Sequence, residues 1–219
     1  MLDVSRLALL WYPQSVTIGK EWIVSTHPEH RYTEEEYLAL ERASDTKSEY
    51  LDGVIYAMGG ASPRHVQIVG NVSGELRGRL RDKPCLVYST DLRVRASKDG
   101  LYAYPDVVVV CGEPRFVDGE LDTLTNPLLV VEILSDSTKN YDRGEKFERY
   151  RSNPSFREYL LIAQDRVHVE RFVRQEDGSW VLHETNDFSD EVELSSVGCF
   201  LPVAEIYFKV TLDDARLSP

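Results

Sequence analysis

An apolar run interrupted by one glutamate is the feature that most limits how this chain can fold. Residues 128–134 read LLVVEIL. A run of this length and composition is typical of a strand that is buried on both faces of a sheet. Glu132 lies inside the run, and a carboxylate in a protein core is normally paired, protonated or bound to a metal. The fold must therefore provide Glu132 with one of these three solutions.

The elements predicted along the chain follow the order α-β-β-α-β-β-β-β-α-β-β-β. A second nearly continuous apolar strand spans 106–110 and follows Pro105, and a third helix is predicted at about 141–152. These elements predict an α/β domain at residues 31–210, in which a mixed β-sheet is flanked by helices. Weak periodicity predicts an irregular N-terminal arm at 1–30, and residues 211–219 are expected to form a C-terminal tail.

Three local signals define the first half of this domain. A capping box is predicted where the first helix starts, and a serine followed by proline is typical of the start of a helix. An Asp-Gly pair between two short apolar runs predicts a β-hairpin. The residues that carry these signals are Thr33 with Glu36, Ser62 with Pro63, and Asp52 with Gly53.

Charge and composition exclude several classes of protein. The net charge of −12 gives no long-range attraction to nucleic acid, so binding to a polyanion would need a local basic patch, a metal ion or a basic partner. No apolar run reaches the length of a membrane span, and the N-terminus lacks a basic start and a small-residue cleavage site, so we expect a cytoplasmic protein. Cys85, Cys111 and Cys199 form no CxxC pair, and we expect three free thiols without a disulfide.

Two acidic residues on the two most apolar strands predict a metal site. Asp106 starts one strand and Glu132 lies inside the other, so their carboxylates can converge if the strands are neighbours. Hard divalent cations prefer oxygen ligands, and magnesium typically takes one or two carboxylates and retains water. The backbone carbonyl of Ile133 is a candidate for a third ligand. The sequence therefore predicts a site for Mg²⁺ (or Mn²⁺) at these strands.

Several segments in a fixed order resemble the Uma family of restriction-endonuclease-like proteins, within the PD-(D/E)XK nuclease superfamily. The resemblance covers residues 30–210. Each motif alone is loose, whereas their order and spacing are more specific. The matching segments are SEYLDGVIY at 48–56, SPRH at 62–65, YPDVVVV at 104–110, LLVVEILSDST at 128–138 and REYLLI at 157–162, together with Asp142, Lys146 and Tyr150.

This resemblance implies a restriction-endonuclease-like fold and metal-dependent hydrolysis of DNA, with Asp106 and Glu132 as catalytic metal ligands. A superfamily lysine is expected two residues after the glutamate, where this chain has Leu134. The resemblance suggests that the catalytic lysine lies on the next helix, at Lys146, with Lys139 as the second choice. It also implies that Glu49 joins the site. A homodimer is expected because cleavage of two strands needs two sites.

Other interpretations of these residues stay open at the level of sequence. Glu132 could pair with a buried Lys or Arg, and Asp106 could cap a turn. Asp142 with Lys146 could form a surface helix pair, and Glu49 could be an exposed hairpin residue. His65 lies in the first turn of its helix and could face the site or solvent, with a structural or surface role favoured. At the level of function, the alternatives are a binding module that has lost catalysis and an enzyme acting on a smaller phosphoester.

Overall fold

The computed structural model describes residues 30–97 and 100–212. The predicted arm at 1–30 lies outside the described residues except for His30, and most of the predicted tail at 211–219 lies outside them as well. The helices are α1 (Glu34–Ala43), α2 (Pro63–Arg79), α3 (Lys139–Tyr141), α4 (Phe147–Arg151) and α5 (Val203–Ile206), with a π-helical turn (Asp142–Lys146) joining α3 to α4. None of the helices in the described ranges is long and apolar enough to cross a membrane.

The described strands form three sheets. A six-stranded sheet has the order β11-β10-β9-β8-β6-β3, a five-stranded sheet has the order β2-β1-β5-β4-β7, and β12 pairs with β13. The pairs β8–β9 and β4–β7 are parallel, and the other pairs are antiparallel. The strands are β1 (Ser48–Leu51), β2 (Val54–Ala57), β3 (Cys85–Ser89), β4 (Arg93–Arg95), β5 (Leu101–Ala103), β6 (Val107–Cys111), β7 (Thr123–Leu124), β8 (Leu129–Leu134), β9 (Glu158–Ala163), β10 (Val169–Arg174), β11 (Trp180–Thr185), β12 (Glu191–Leu194) and β13 (Cys199–Pro202).

The predicted mixed α/β architecture is confirmed, and so are its local signals. Thr33 accepts a hydrogen bond from the backbone N–H of Glu36, and the Glu36 side chain accepts one from the N–H of Thr33. Ser62 caps α2, with Pro63 at its first position. The β1–β2 hairpin turns at Asp52 and Gly53, which both have positive φ, as a tight two-residue turn requires.

The six-stranded sheet separates two apolar cores, and strand alternation sends β8 side chains to each in turn. One core holds α2, α5 and alternate residues of the central strands, including Leu129, Val131 and Ile133. The other core lies between this sheet, the helical segment 139–151 and the five-stranded sheet, and it includes Val130 and Leu134. Glu132 is two residues from both Val130 and Leu134, so its side chain points into this second core.

Several features of the fold differ from the sequence-based predictions. The prediction of a single sheet is incomplete, since the strands divide among three sheets. The short strands β5, β7, β12 and β13 and the four-residue helix α5 were not predicted, because segments of two to four residues carry little periodicity. The third helix begins at Lys139 and contains a π-helical turn, in which one extra residue changes the helical register.

The prediction of three free thiols is wrong. Cys85 and Cys111 form a disulfide, and Cys199 is a buried free thiol. The pairing follows from the sheet, because β3 and β6 are antiparallel neighbours whose register places Cys85 directly opposite Cys111, with 4.0 Å between the Cα atoms. The two residues are 26 positions apart in the chain, so no local cysteine motif announces the bond.

Candidate active site

A buried lysine surrounded by three carboxylates lies in the second core. The Nζ atom of Lys146 is 2.9 Å from an oxygen of Glu132, 3.1 Å from one of Glu49 and 3.6 Å from one of Asp142. All four residues are between 4% and 7% exposed. We refer to Lys146, Glu49, Glu132 and Asp142 as the lysine cluster.

Three different parts of the fold bring the lysine cluster together. Glu132 comes from the central strand β8, and the π-helical turn contributes both Asp142 and Lys146. Glu49 lies on β1, two residues from Leu51, which packs in the second core. Glu49 therefore faces the six-stranded sheet. A Glu49 oxygen also accepts a hydrogen bond from the backbone N–H of Tyr104, which fixes the carboxylate beside the chain that leads to Asp106.

The charges of the lysine cluster do not balance when all its groups are ionised, since three carboxylates face one ammonium. Burial raises the pKa of Glu132 well above its usual value, against the opposing effect of Lys146 and with the added effect of Asp142, Asp106 and Glu49. Burial also raises the pKa of Asp142. For Lys146, burial alone lowers the pKa, but the surrounding carboxylates outweigh it and raise the pKa well above its usual value. The cluster therefore favours protons or a further cation near its carboxylates.

Asp106 lies next to the lysine cluster, immediately before β6. Its Oδ2 atom accepts a hydrogen bond of 2.7 Å from the backbone N–H of Ile133, and its Oδ1 atom is 2.7 Å from Nε2 of His65. Since the N–H and C=O groups of one strand residue point to the same side of the strand, the carbonyl of Ile133 is also directed towards this edge of β8. The predicted ligands Asp106, Glu132 and Ile133 thus belong to one region of the molecule.

The environment of one Glu132 oxygen indicates whether these residues suit a divalent cation. Glu132 Oε1 is fully buried, and it contacts Lys146 as an ion pair without the alignment of a hydrogen bond. A buried acceptor that lacks a hydrogen bond is suited to bind a hard cation. The surrounding ligand atoms are all oxygens and carry excess negative charge, which also favours such a cation. Glu49, Asp106 and Glu132 are nevertheless not within 4.8 Å of one another as a set of three in the described residues, and Lys146 contacts both Glu49 and Glu132. A metal ion bound by Glu132 would therefore replace part of its contact with Lys146.

Another group in the described residues does bring three ligand atoms within 4.8 Å of one another. It consists of His168, Glu170 and Glu184, on and before the paired strands β10 and β11. The guanidinium of Arg143 already binds both carboxylate oxygens of Glu170, and His168 Nε2 is 2.9 Å from the same carboxylate. Side chains of the protein thus satisfy this group without a metal ion.

Several alternatives that the sequence left open can now be decided. Asp142 and Lys146 are buried, so they are not a surface pair, and Glu49 is not an exposed hairpin residue. Glu132 does pair with a buried lysine, and that lysine is Lys146 itself. Lys139, the second choice for the lysine, has a side chain that is 45% exposed and pairs with Asp136, so the fold does not bring it to the cluster.

Sequence reasoning did not assign a place in the site to His65 or Asp142. His65 belongs to the SPRH segment at 62–65, and Asp142 precedes Lys146 by four residues, so both lie in the segments that resemble the Uma family. The hydroxyl of Tyr150 is also buried in this region without a hydrogen-bond partner. Burial and the nearby charge of Glu132 raise its pKa, so the phenol stays protonated.

The chain matches a family model and two other proteins over most of its length. Residues 34–204 match the family model Uma2, described as "Putative restriction endonuclease". The chain is 38% identical over 180 residues to "Uncharacterized protein slr1290" of Synechocystis sp. (strain ATCC 27184 / PCC 6803 / Kazusa), covering 82% of this chain and 93% of that protein. It is 36% identical over 163 residues to "Uncharacterized protein sll1609" of the same organism, covering 74% and 92%.

A solved structure shows the same fold. It is the crystal structure of a "putative nuclease belonging to DUF820" from Anabaena variabilis ATCC 29413, with a TM-score of 0.63 and 18% sequence identity, covering 79% of this chain and 96% of that one. At this identity the likeness concerns the fold alone. The family match, however, spans most of the chain and includes every predicted site residue. The chain therefore belongs to the Uma2 family of restriction-endonuclease-like proteins.

Proposed function

We propose that this protein is a metal-dependent endonuclease that hydrolyses phosphodiester bonds in DNA. The observation that carries the proposal is the buried ammonium of Lys146, held against Glu132 and Glu49 beside Asp106. Membership of the Uma2 family supports a nuclease-type activity, and the oxygen-rich donor set supports a divalent metal. DNA as the substrate and Mg²⁺ or Mn²⁺ as the ion are parts of the proposal.

The proposed metal ligands are the carboxylates of Asp106 and Glu132 and the backbone carbonyl of Ile133. When bound there, a divalent ion lowers the pKa of a coordinated water and neutralises charge on a phosphate oxygen. The hydrogen bond from the Ile133 N–H orients Asp106, and the second core around Glu132 excludes bulk water from its carboxylate. These contacts hold the two acids in place before substrate binds.

Lys146 and Glu49 have complementary roles in this proposal. Lys146 provides the positive charge that stabilises negative charge accumulating on the phosphate in the transition state. Glu49 pairs with the same ammonium as Glu132, and its carboxylate orients a water molecule at the site. Because the whole chain carries a net charge of −12, attraction of DNA depends on local positive charge rather than on the overall field.

A second candidate is a binding module with this fold that does not catalyse hydrolysis. It is favoured by the contacts of Lys146, since three carboxylates engage its ammonium and the residue is only 4% exposed. A lysine locked in this way stabilises the protein without touching a substrate. The two candidates make opposite predictions about cleavage. The first proposal includes a homodimer, since two sites are needed to cut both strands of DNA. It also includes a location in the cytoplasm.

Cleavage of supercoiled plasmid with Mg²⁺ or Mn²⁺ tests the proposal. We expect nicking by the wild type and its loss, by at least about 100-fold, in Glu132→Gln and in Lys146→Met, which remove a metal ligand and the transition-state charge. Lys139→Met is the matched control, because Lys139 is an exposed lysine of the same helical segment, and it should retain activity. Cleavage that survives both substitutions at the cluster, or metal-independent DNA binding without cleavage, would contradict the nuclease assignment.

A further inference from the structure

His65 makes a short contact with the proposed metal ligand Asp106. Its Nε2 atom is 2.7 Å from Oδ1 of Asp106, and the two side chains are 18% and 17% exposed. Nothing in the proposed mechanism above requires this contact. The residue nevertheless lies where it can control the direction of a carboxylate that must face an ion.

The start of helix α2 fixes the position of His65. Its backbone N–H donates a hydrogen bond of 3.1 Å to the side chain of Ser62, the residue that caps the helix. Ser62 also bonds to Gln164, directly after β9, so the first turn of α2 is tied to the end of the six-stranded sheet. The positive end of the α2 dipole is therefore close to Asp106 and favours a negative charge there.

Asp106 is held from two sides. One oxygen accepts the N–H of Ile133 on β8, and the other faces His65 on α2. A carboxylate anchored at a single oxygen can still rotate about its last side-chain bond, whereas a second hydrogen bond removes this freedom. Because a carboxylate oxygen has two lone pairs, each oxygen can accept one hydrogen bond and keep the other lone pair for a metal.

We propose that His65 is a positioning residue for the metal site, whose Nε2–H donates to Oδ1 of Asp106 and orients the carboxylate for a divalent cation. This inference rests on the proposed function, since it assumes that Asp106 is a ligand. Hydrogen-bond partners of metal ligands typically contribute 10–100-fold to metal affinity or activity. His65 is thus expected to act on the ion through Asp106, without touching the ion or the DNA.

Two substitutions separate the hydrogen bond from the packing of the ring. His65→Phe keeps an aromatic ring of similar size and removes the donor, whereas His65→Gln retains an N–H donor at a similar distance from the backbone. His183→Ala is the control, because His183 is an exposed histidine on β11 and has no part in the cluster. Melting temperatures measured without metal show that each variant is folded.

Calorimetric titration with Mn²⁺ is the primary measurement. We expect His65→Phe to weaken Mn²⁺ binding about 10–100-fold and His65→Gln to stay within a few-fold of the wild type, with His183→Ala unchanged. In the plasmid assay, His65→Phe should lower kcat with little change in KM for DNA. Equal Mn²⁺ affinity of His65→Phe and wild type, or equal loss in the Phe and Gln variants, would overturn the role of His65 and leave the nuclease proposal standing. Absence of Mn²⁺ binding to the wild type would overturn both.

Discussion

Reduction of the Cys85–Cys111 disulfide should lower the free energy of unfolding by about 3.5 kcal/mol. The bond closes a loop between residues 26 positions apart, and a cross-link restricts the unfolded chain in proportion to the logarithm of the loop length. We expect the folded state to keep its β3–β6 register after reduction, because five residue pairs join these two strands and only one of them is the disulfide.

Guanidinium unfolding followed by tryptophan fluorescence, with and without reductant, measures this difference. The double variant Cys85→Ala/Cys111→Ala should unfold like the reduced wild type and should not respond to reductant. Cys199→Ala is the control, because Cys199 is buried in the core as a free thiol, so this variant loses packing but keeps the full response to reductant. Thiol titration of the unfolded protein should find one free thiol before reduction and three after it.

The entropic account of this bond would be refuted by a shift of less than about 1 kcal/mol on reduction. A redox response that persists in the double variant would refute the assignment of the bond itself. Plasmid cleavage should change little on reduction, since Asp106 and Cys111 lie at opposite ends of β6, roughly 16 Å apart along the strand.

Two further substitutions test the buried charges and the helix cap. Because burial raises the pKa of Glu132, the stability that this residue contributes is present at low pH and is lost as pH rises through its folded-state pKa. Glu132→Gln mimics the protonated acid, so its stability relative to wild type in urea unfolding should increase from mildly acidic to mildly alkaline buffer, and a pH-independent difference would contradict the raised pKa. Thr33→Ala should lower the free energy of unfolding by about 1 kcal/mol, because it removes the α1 capping box. Thr33→Ser keeps the hydroxyl and should retain most of this stability in the same assay. Equal stability of the wild type and both variants would contradict a role for the cap.

The parts of the site that could be predicted from sequence are those carried by strongly patterned segments. A glutamate inside a run of apolar residues can only be a buried group, so Glu132 was identified from one strand. The assignment of Lys146 and Glu49 to the site depended on the resemblance to a family. Lys146 lies in a helical segment, and Glu49 lies in a hairpin of a different sheet from Glu132. Their separation from Glu132 along the chain gives no local signal that the three residues meet.

The features that could not be predicted are set by pairing between distant segments. The disulfide depends on the register of β3 against β6, and β7 is a two-residue strand that exists only through its parallel neighbour β4. The π-helical turn could not be predicted either. Asp142 and Lys146 are four residues apart in the sequence, and this spacing is equally compatible with an ordinary α-helix. A lone histidine at a helix start carries no information about the strand end that it faces, so the sequence alone leaves a site-facing His65 as one of its open alternatives.

The position of Lys146 links the stability of the metal-free protein to the proposed chemistry. Three carboxylates in one core repel each other, and the ammonium is what makes their burial tolerable when no metal is bound. Under the proposed function Asp106 and Glu132 would hold a divalent ion, whose positive charge would add to that of Lys146 in offsetting these acids. Lys146 would supply the ammonium that faces the phosphate. Under the proposed function, the same buried charge therefore stabilises the resting site and provides the positive group that the reaction requires.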